Sequence, residues 1–199
     1  MAVYDDPRIL RAVAHPTRNR ILAELFAGGS LRAADIARTL DIPANQASFH
    51  LRQLAKYGLV EEAPEEGRDR RDRVWRLTSD DGITFRTQDI VKQPGGEAAY
   101  DVFRRSAVAW HHHLVDQAYV RDPESDTKKT ISDYALRLTP EESQELSTEI
   151  TELIDRWRHR TREGGEERTT YSIFQLIQPM PDQLEGVRGS FRVRGFGSS

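Results

Sequence analysis

The sequence of 199 residues contains no cysteine. That excludes disulfides, thiolate metal sites and a cysteine nucleophile at once. It has no run of 18 apolar residues, so a helix spanning a bilayer is not expected. Its opening, MAVYDDPRILRAV, carries acids where a secretory leader would be basic, and it lacks a long apolar stretch; the expected location is the cytoplasm. Aromatic residues make up only 8%. No HExxH, no phosphate-cradling glycine loop and no nucleophile motif occurs, so no catalytic residue and no cofactor is expected. Nor is there an internal repeat.

Charge of one sign is also missing. The formal net charge is −3, too acidic for a protein that coats nucleic acid without regard to sequence. The charge is uneven, however. Residues 1–78 hold 13 Lys and Arg against 11 Asp and Glu, a net of +2, whereas residues 79–199 hold 16 against 21, a net of −5. Any basic surface belongs to the first part.

Within that part the apolar residues recur at helical spacing. Asp6-Pro7 opens a short helix with Ile9, Leu10 and Val13. Pro16 suits the first position of a second helix carrying Ile21, Leu22, Leu25 and Phe26, which Gly28-Gly29 ends. A third helix contains Ile36 and Leu40, with Ala33, Ala34 and Ala37 permitting close packing. After a turn at Asp41-Ile42, a fourth runs from about Pro43 to Tyr57 with Ala47, Leu51 and Leu54 inward. The period then changes to two. Leu59-Val60 and Val74–Leu77 flank a charged turn around Gly67, which predicts a hairpin. A helix, a tight turn, a second helix and a charged hairpin form the order of a winged helix-turn-helix. One helix fits a B-DNA major groove about 12 Å wide while the helix before it crosses the backbone.

The run HPTRNRIL (15–22), the stretch ADIARTLDIPANQASFHLRQLAKYGLVEE (34–62) and the hairpin after it resemble the ArsR-type winged-helix repressors over residues 7–78. Ser48-x-His50-Leu51-x-x-Leu54-x-x-x-Gly58-Leu59-Val60 is the most specific element. The resemblance implies a homodimer, and usually a repressor released by a ligand or metal. The chain departs from the metal-sensing members, having no cysteines in the metal-binding helix and no evident acid/His pattern near a C-terminal dimer helix.

On the fourth helix the outward residues have the chemistry to read bases. Asn45, Gln46 and Phe49 are the candidates for base edges, since amides bond adenine bidentately and an aromatic ring meets a thymine methyl. Ser48, His50, Arg52 and Lys56 are candidates for phosphates, as are Arg68, Arg70, Arg71 and Arg73 at the hairpin tip. Each has a plain alternative as a solvated surface residue, and Asp69 and Asp72 interleave with the arginines.

Residues 81–96 read as a linker with Pro94-Gly95-Gly96 near its end, after a domain of residues 1–80. The remainder, 97–178, reads helix, strand, helix, strand. A long helix over 97–120 carries a stripe of Val102, Phe103, Ala107, Trp110, Leu114 and Ala118. Residues 130–138 alternate as a strand. Thr139-Pro140-Glu141-Glu142 is a capping box that starts a helix to about Arg162, and TTYSIFQLI (169–177) is a second strand. The tail 179–199 reads as mobile. The fold class is therefore α+β and mainly helical, a winged helix-turn-helix followed by a dimerisation and effector region.

His111-His112-His113 cannot all ligate one ion, because neighbours on a helix point about 100° apart. His112 with Asp116, joined by His159, could hold zinc or nickel, but a solvent-facing or interface cluster is the simpler reading, and no metal is expected. The expected partners are double-stranded DNA and a second copy of the chain, with room for a small-molecule effector and no membrane. The alternative is a metal- or ligand-dependent enzyme or sensor carried by the C-terminal region.

Overall fold

A computed structural model describes residues 2–67, 73–79, 82–121, 127–162 and 168–181. The fold is α+β and mainly helical, with its N-terminal half a winged helix-turn-helix. Its elements are β1 (Ala2–Tyr4), α1 (Pro7–Val13), α2 (Pro16–Gly28), β2 (Leu31–Arg32), α3 (Ala33–Thr39), α4 (Ala44–Lys56), β3 (Val60–Glu62), a 3-10 turn at Pro64–Glu66, β4 (Val74–Leu77), β5 (Ile83–Phe85), α5 (Thr87–Ile90), α6 (Gly96–Tyr119) and α7 (Pro140–Arg162).

One core organises the first half. Ile21, Leu22 and Leu25 of α2 meet Ile36 and Ala37 of α3, and Ala47, Leu51 and Leu54 of α4. The wing closes over them with Leu59, Val60, Trp75 and Leu77. Each of the three helices contributes one stripe at 3.6 spacing, as the sequence pattern requires. Fully burying side chains of this size stabilises the fold by about 1.5–3 kcal/mol apiece.

The wing is a three-stranded antiparallel sheet in the order β2-β4-β3. Val60 pairs with Leu77, Glu61 with Arg76 and Glu62 with Trp75. The predicted hairpin is present. The third strand, β2, was not predicted; two residues are too short to show a period, and Leu31 and Arg32 join only because Trp75 and Val74 lie opposite. The chain start is also tied in: β1 runs parallel to β5, and the Tyr4 hydroxyl donates to the Gly58 carbonyl at 3.1 Å.

The segment read as a linker is packed structure. Ile90 of α5 is fully buried against Leu10 of α1 and Ala99 of α6. Gly95 has φ of 72°, and a Cβ on Gly96 would stand 1.8 Å from the Ile90 carbonyl oxygen. The two glycines therefore form a tight corner that only this residue type fits. Polar composition hid the single buried Ile90. The first half of α6 then lies along α1, where the Ser106 hydroxyl donates to the Ala14 carbonyl at 2.5 Å.

Beyond this point packing thins. Phe103, Ala107, Trp110, Leu114 and Ala118 of the expected α6 stripe are half-buried, but Val102 is exposed. The capping box of α7 is formed as predicted: the Thr139 amide donates to Glu142 Oε2 at 2.7 Å, and the Glu142 amide donates to Thr139 Oγ1 at 3.2 Å. Neither predicted strand is one here. Residues 127–139 and 168–181 are exposed and join no ladder among the described residues. Alternating residues give a strand its two faces, but only a neighbouring backbone makes it a strand. The expected mobile tail falls almost wholly outside the described residues.

Candidate nucleic-acid interface

The turn between α3 and α4 sets the interface. Asp41 takes the left-handed conformation, with φ of 50°, which a short polar side chain tolerates better than most. Its amide donates to the Arg38 carbonyl at 3.2 Å, and the Ile42 amide donates to the Ala37 carbonyl at 3.0 Å. Pro43, extended, stands at the N-cap of α4. A proline there fixes the entry angle of the helix without losing a needed amide.

Helix α4 has two opposed faces. Ala47, Leu51 and Leu54 are fully buried, as expected. On the other side Asn45, Phe49, Arg52 and Lys56 are exposed at i, i+4, i+7 and i+11, so they form one narrow stripe. Gln46 is exposed at its edge and Ser48 is half-buried beside it. Phe49 leaves 49% of its surface open, which its own core has no use for. Amides, an aromatic ring and two cations thus share one convex surface with a rigid backing.

His50 does not belong to that surface. It is only 4% exposed, and its ring lies 4.7 Å from that of His15, the N-cap residue of α2. Burial, then the charge His15 would carry if protonated and that of Arg18, push its imidazole below the ordinary histidine range. His15 is pushed down by burial first, and by Arg18. The expected phosphate role of His50 is therefore corrected: His50 is a wedge between α2 and α4. Position 50 flanks the inward stripe, and an apolar face wider than three residues takes it in. Arg18 completes the corner by donating to the carbonyls of Ala12 and, at 3.1 Å, Arg11.

The wing carries its own neutralisation. Arg73 pairs with Glu62 at 3.1 Å while remaining largely exposed. Arg76 holds Glu61 and Glu65 at 2.8 Å and Glu66 at 3.4 Å, and hydrogen bonding to Glu61 raises its already high pKa. Arg76 is a further wing cation, marked in the sequence only by its cross-strand position opposite Glu61. Two arginines thus face four glutamates, and the described stem of the wing carries a net charge of −2. Arg68, Arg70 and Arg71 lie outside the described residues. On α3, Arg38 is three-quarters exposed while bonding Asp35 at 2.9 Å, a further cation on the helix that precedes α4. Arg32 bonds the same carboxylate at 2.6 Å, and these bonds hold Asp35 below the usual carboxylate range.

The histidine run is spread out. His111 stacks on Phe174 at 4.0 Å between ring centroids, and burial lowers its pKa. His112 and His113 are exposed. Among the described residues no three His, Asp or Glu side chains converge as a metal site would require. No helix among them is long and apolar enough to cross a membrane.

Residues 13–63 match the helix-turn-helix domain family. The match covers α2, α3, the turn, α4 and the first wing strand, 51 of the 199 residues, and this segment is a helix-turn-helix of the kind DNA-binding transcriptional regulators carry. No curated protein matches the chain. Among solved structures it is similar to a cysteine-to-serine mutant of MarR from E. coli, at 14% identity over 74% of this chain and 86% of that one, with a TM-score of 0.33. It is similar to an apo mutant of ZitR from Lactococcus lactis, at 17% identity over 75% and 88%, with a TM-score of 0.30. A mutant of MepR from S. aureus bound to an oligodeoxyribonucleotide matches at 16% identity over 75% and 91%, again with a TM-score of 0.30. Scores this low carry no weight.

Proposed function

We propose that the chain is a sequence-specific transcriptional regulator of the ArsR type, a homodimeric repressor that binds a pseudo-palindromic operator and acts in the cytoplasm by binding rather than turnover. The observation that carries this reading is the stripe Asn45, Phe49, Arg52 and Lys56, with Gln46 at its edge, held outward by a fully buried opposite face. Asn45, Gln46 and Phe49 read base edges in the major groove. Ser48, Arg52, Lys56 and Arg73 hold phosphates, joined by Arg68, Arg70 and Arg71 of the wing tip. A two-fold protein reads a two-fold site. The ArsR-type assignment rests on the runs at 15–22 and 34–62. The C-terminal half supplies the dimer contacts and has room for a small effector.

The test is selection of genomic fragments by the purified protein at near-physiological salt. Enrichment of one inverted repeat is expected. Equal recovery of all fragments would overturn sequence-specific reading in favour of architectural binding.

A further inference from the structure

Helix α7 is unusual in burying no side chain over 23 residues. Its C-terminal end is held by α2. There the Arg162 guanidinium donates to the Phe26 carbonyl at 2.7 Å and Arg158 lies over the Phe26 ring. Roughly 130° round the helix from those contacts runs a second stripe, Leu146, Ile150, Leu153 and Trp157. Its 4-3-4 spacing is that of a coiled-coil seam. Leu153 is 47% exposed and Trp157 51%. A shallow concavity of about 290 Å³ framed by Glu149, Ile150, Glu152, Leu153 and Arg156 sits at mid-stripe, where a facing side chain would insert.

The charges say what fits there. Glu141, Glu142, Glu145, Glu149 and Glu152 occupy the first part of the helix; Arg156, Arg158, Arg160 and Arg162 occupy the last. A parallel copy would set acid against acid. An antiparallel copy sets acid against base along the full length. The seam then pairs Leu146 with Trp157 and Ile150 with Leu153 of the second copy, and the flanking Glu149 comes beside Arg156 of the second copy. A helix complementary to its own reversal is fitted to itself. We infer that α7 pairs antiparallel with α7 of a second copy of this chain, in the register that joins Ile150 to Leu153. This deepens the dimer of the proposed function and rests on that part of it alone.

The chain lacks cysteine, which makes the register directly readable. In sedimentation without DNA the protein should be a dimer, and Leu153→Glu should weaken self-association by about a hundredfold, because a carboxylate would be buried unpaired. Leu153 is exposed in the single chain, so the circular dichroism of that variant should still report a folded protein. A mixture of Glu149→Cys and Arg156→Cys chains, treated with a short bismaleimide, should yield the mixed product. Each chain should couple to itself less readily, since in this register Glu149 and Arg156 stand about 7.5 Å and about 13.5 Å along the axis from their own copies, against about 3 Å for the mixed pair. A monomer at all concentrations, a Leu153→Glu variant as dimeric as the parent, or predominant self-coupling would each overturn the proposal. Dimerisation in this register without DNA selection would refute only the DNA reading; DNA selection by a monomer would refute only the pairing.

Discussion

The two halves of the chain solve the burial problem in opposite ways. Residues 2–103 close a core on themselves, with eleven fully buried or nearly buried side chains from α2, α3, α4 and the wing strands β3 and β4 within one cluster. From residue 104 onward no described side chain is buried. Ile131, Tyr134, Leu136, Leu138, Tyr171, Ile173 and Leu176 all stand open to solvent. In the arm 168–181 the difference occurs within one strand-like segment. Thr170 donates to the nearly buried Glu24 at 2.8 Å and Phe174 stacks on His111, while the alternate residues Tyr171 and Ile173 are exposed. The first half is stable by its own contacts. The second has the apolar pattern of a folded region without that burial among its described residues.

The largest expected effect sharpens that contrast. Leu51→Ala should cost about 2–5 kcal/mol in chemical denaturation, whereas Ile131→Ala, in an exposed segment, should stay within about 0.5 kcal/mol in the monomer. Equal losses at both positions would erase the distinction between the halves. Next in size, Gln46→Ala or Phe49→Ala should cost about 1–3 kcal/mol of operator binding and relax preference at one or two base pairs, measured by binding to systematically altered sites. Unchanged base preference in both variants would move the reading head elsewhere. Thr139→Ala should cost about 1 kcal/mol by removing the side-chain half of the cap, read as lost helicity of α7, with little effect on DNA affinity per site if the halves are independent.

The smallest effect concerns the His15–His50 corner. Both imidazoles are held neutral in the fold, with pKa values below the ordinary 6.5, and neither Nδ1 has a hydrogen-bond partner among the described residues. A base whose pKa is lowered on folding favours the unfolded chain once that chain takes up its proton. Stability should therefore be intact above about pH 7 and decline as pH falls through the unfolded histidine range near 6.5. His50→Leu should flatten that decline between pH 5 and 7. A pH profile identical to the parent's would show that the corner does not resist protonation.

What the sequence showed plainly was whatever depends on neighbours along the chain. The capping box at Thr139 and Glu142, the breaks at Pro16 and Gly28-Gly29, and the inward triplet of α4 all follow from local rules and all stand in the structure. What it concealed depends on contacts across space. β1 and β2 exist only through β5 and β4, Ile90 is buried because α1 and α6 converge on it, and His50 is covered because His15 arrives 35 residues away in sequence. The extended segments failed as strands for the same reason in reverse: their alternation is real, but no edge stands beside them among the described residues. For the interface, the exposed stripe of α4 was legible from its period; the neutralising Arg76 was not, because its three acids come from the opposite strand and the turn.

The bond from Arg162 to the Phe26 carbonyl also has a metric consequence. It clamps the end of α7 to the end of α2, a helix whose buried face backs α4. With α7 paired antiparallel as proposed, the two clamps are held about 31 Å apart by rigid helix. Half-sites one turn apart on B-DNA are separated by about 34–36 Å. The helix would then act as a gauge, and an insertion of seven residues in α7, keeping the seam in phase, would retune the operator by its spacing while leaving every base-reading side chain untouched.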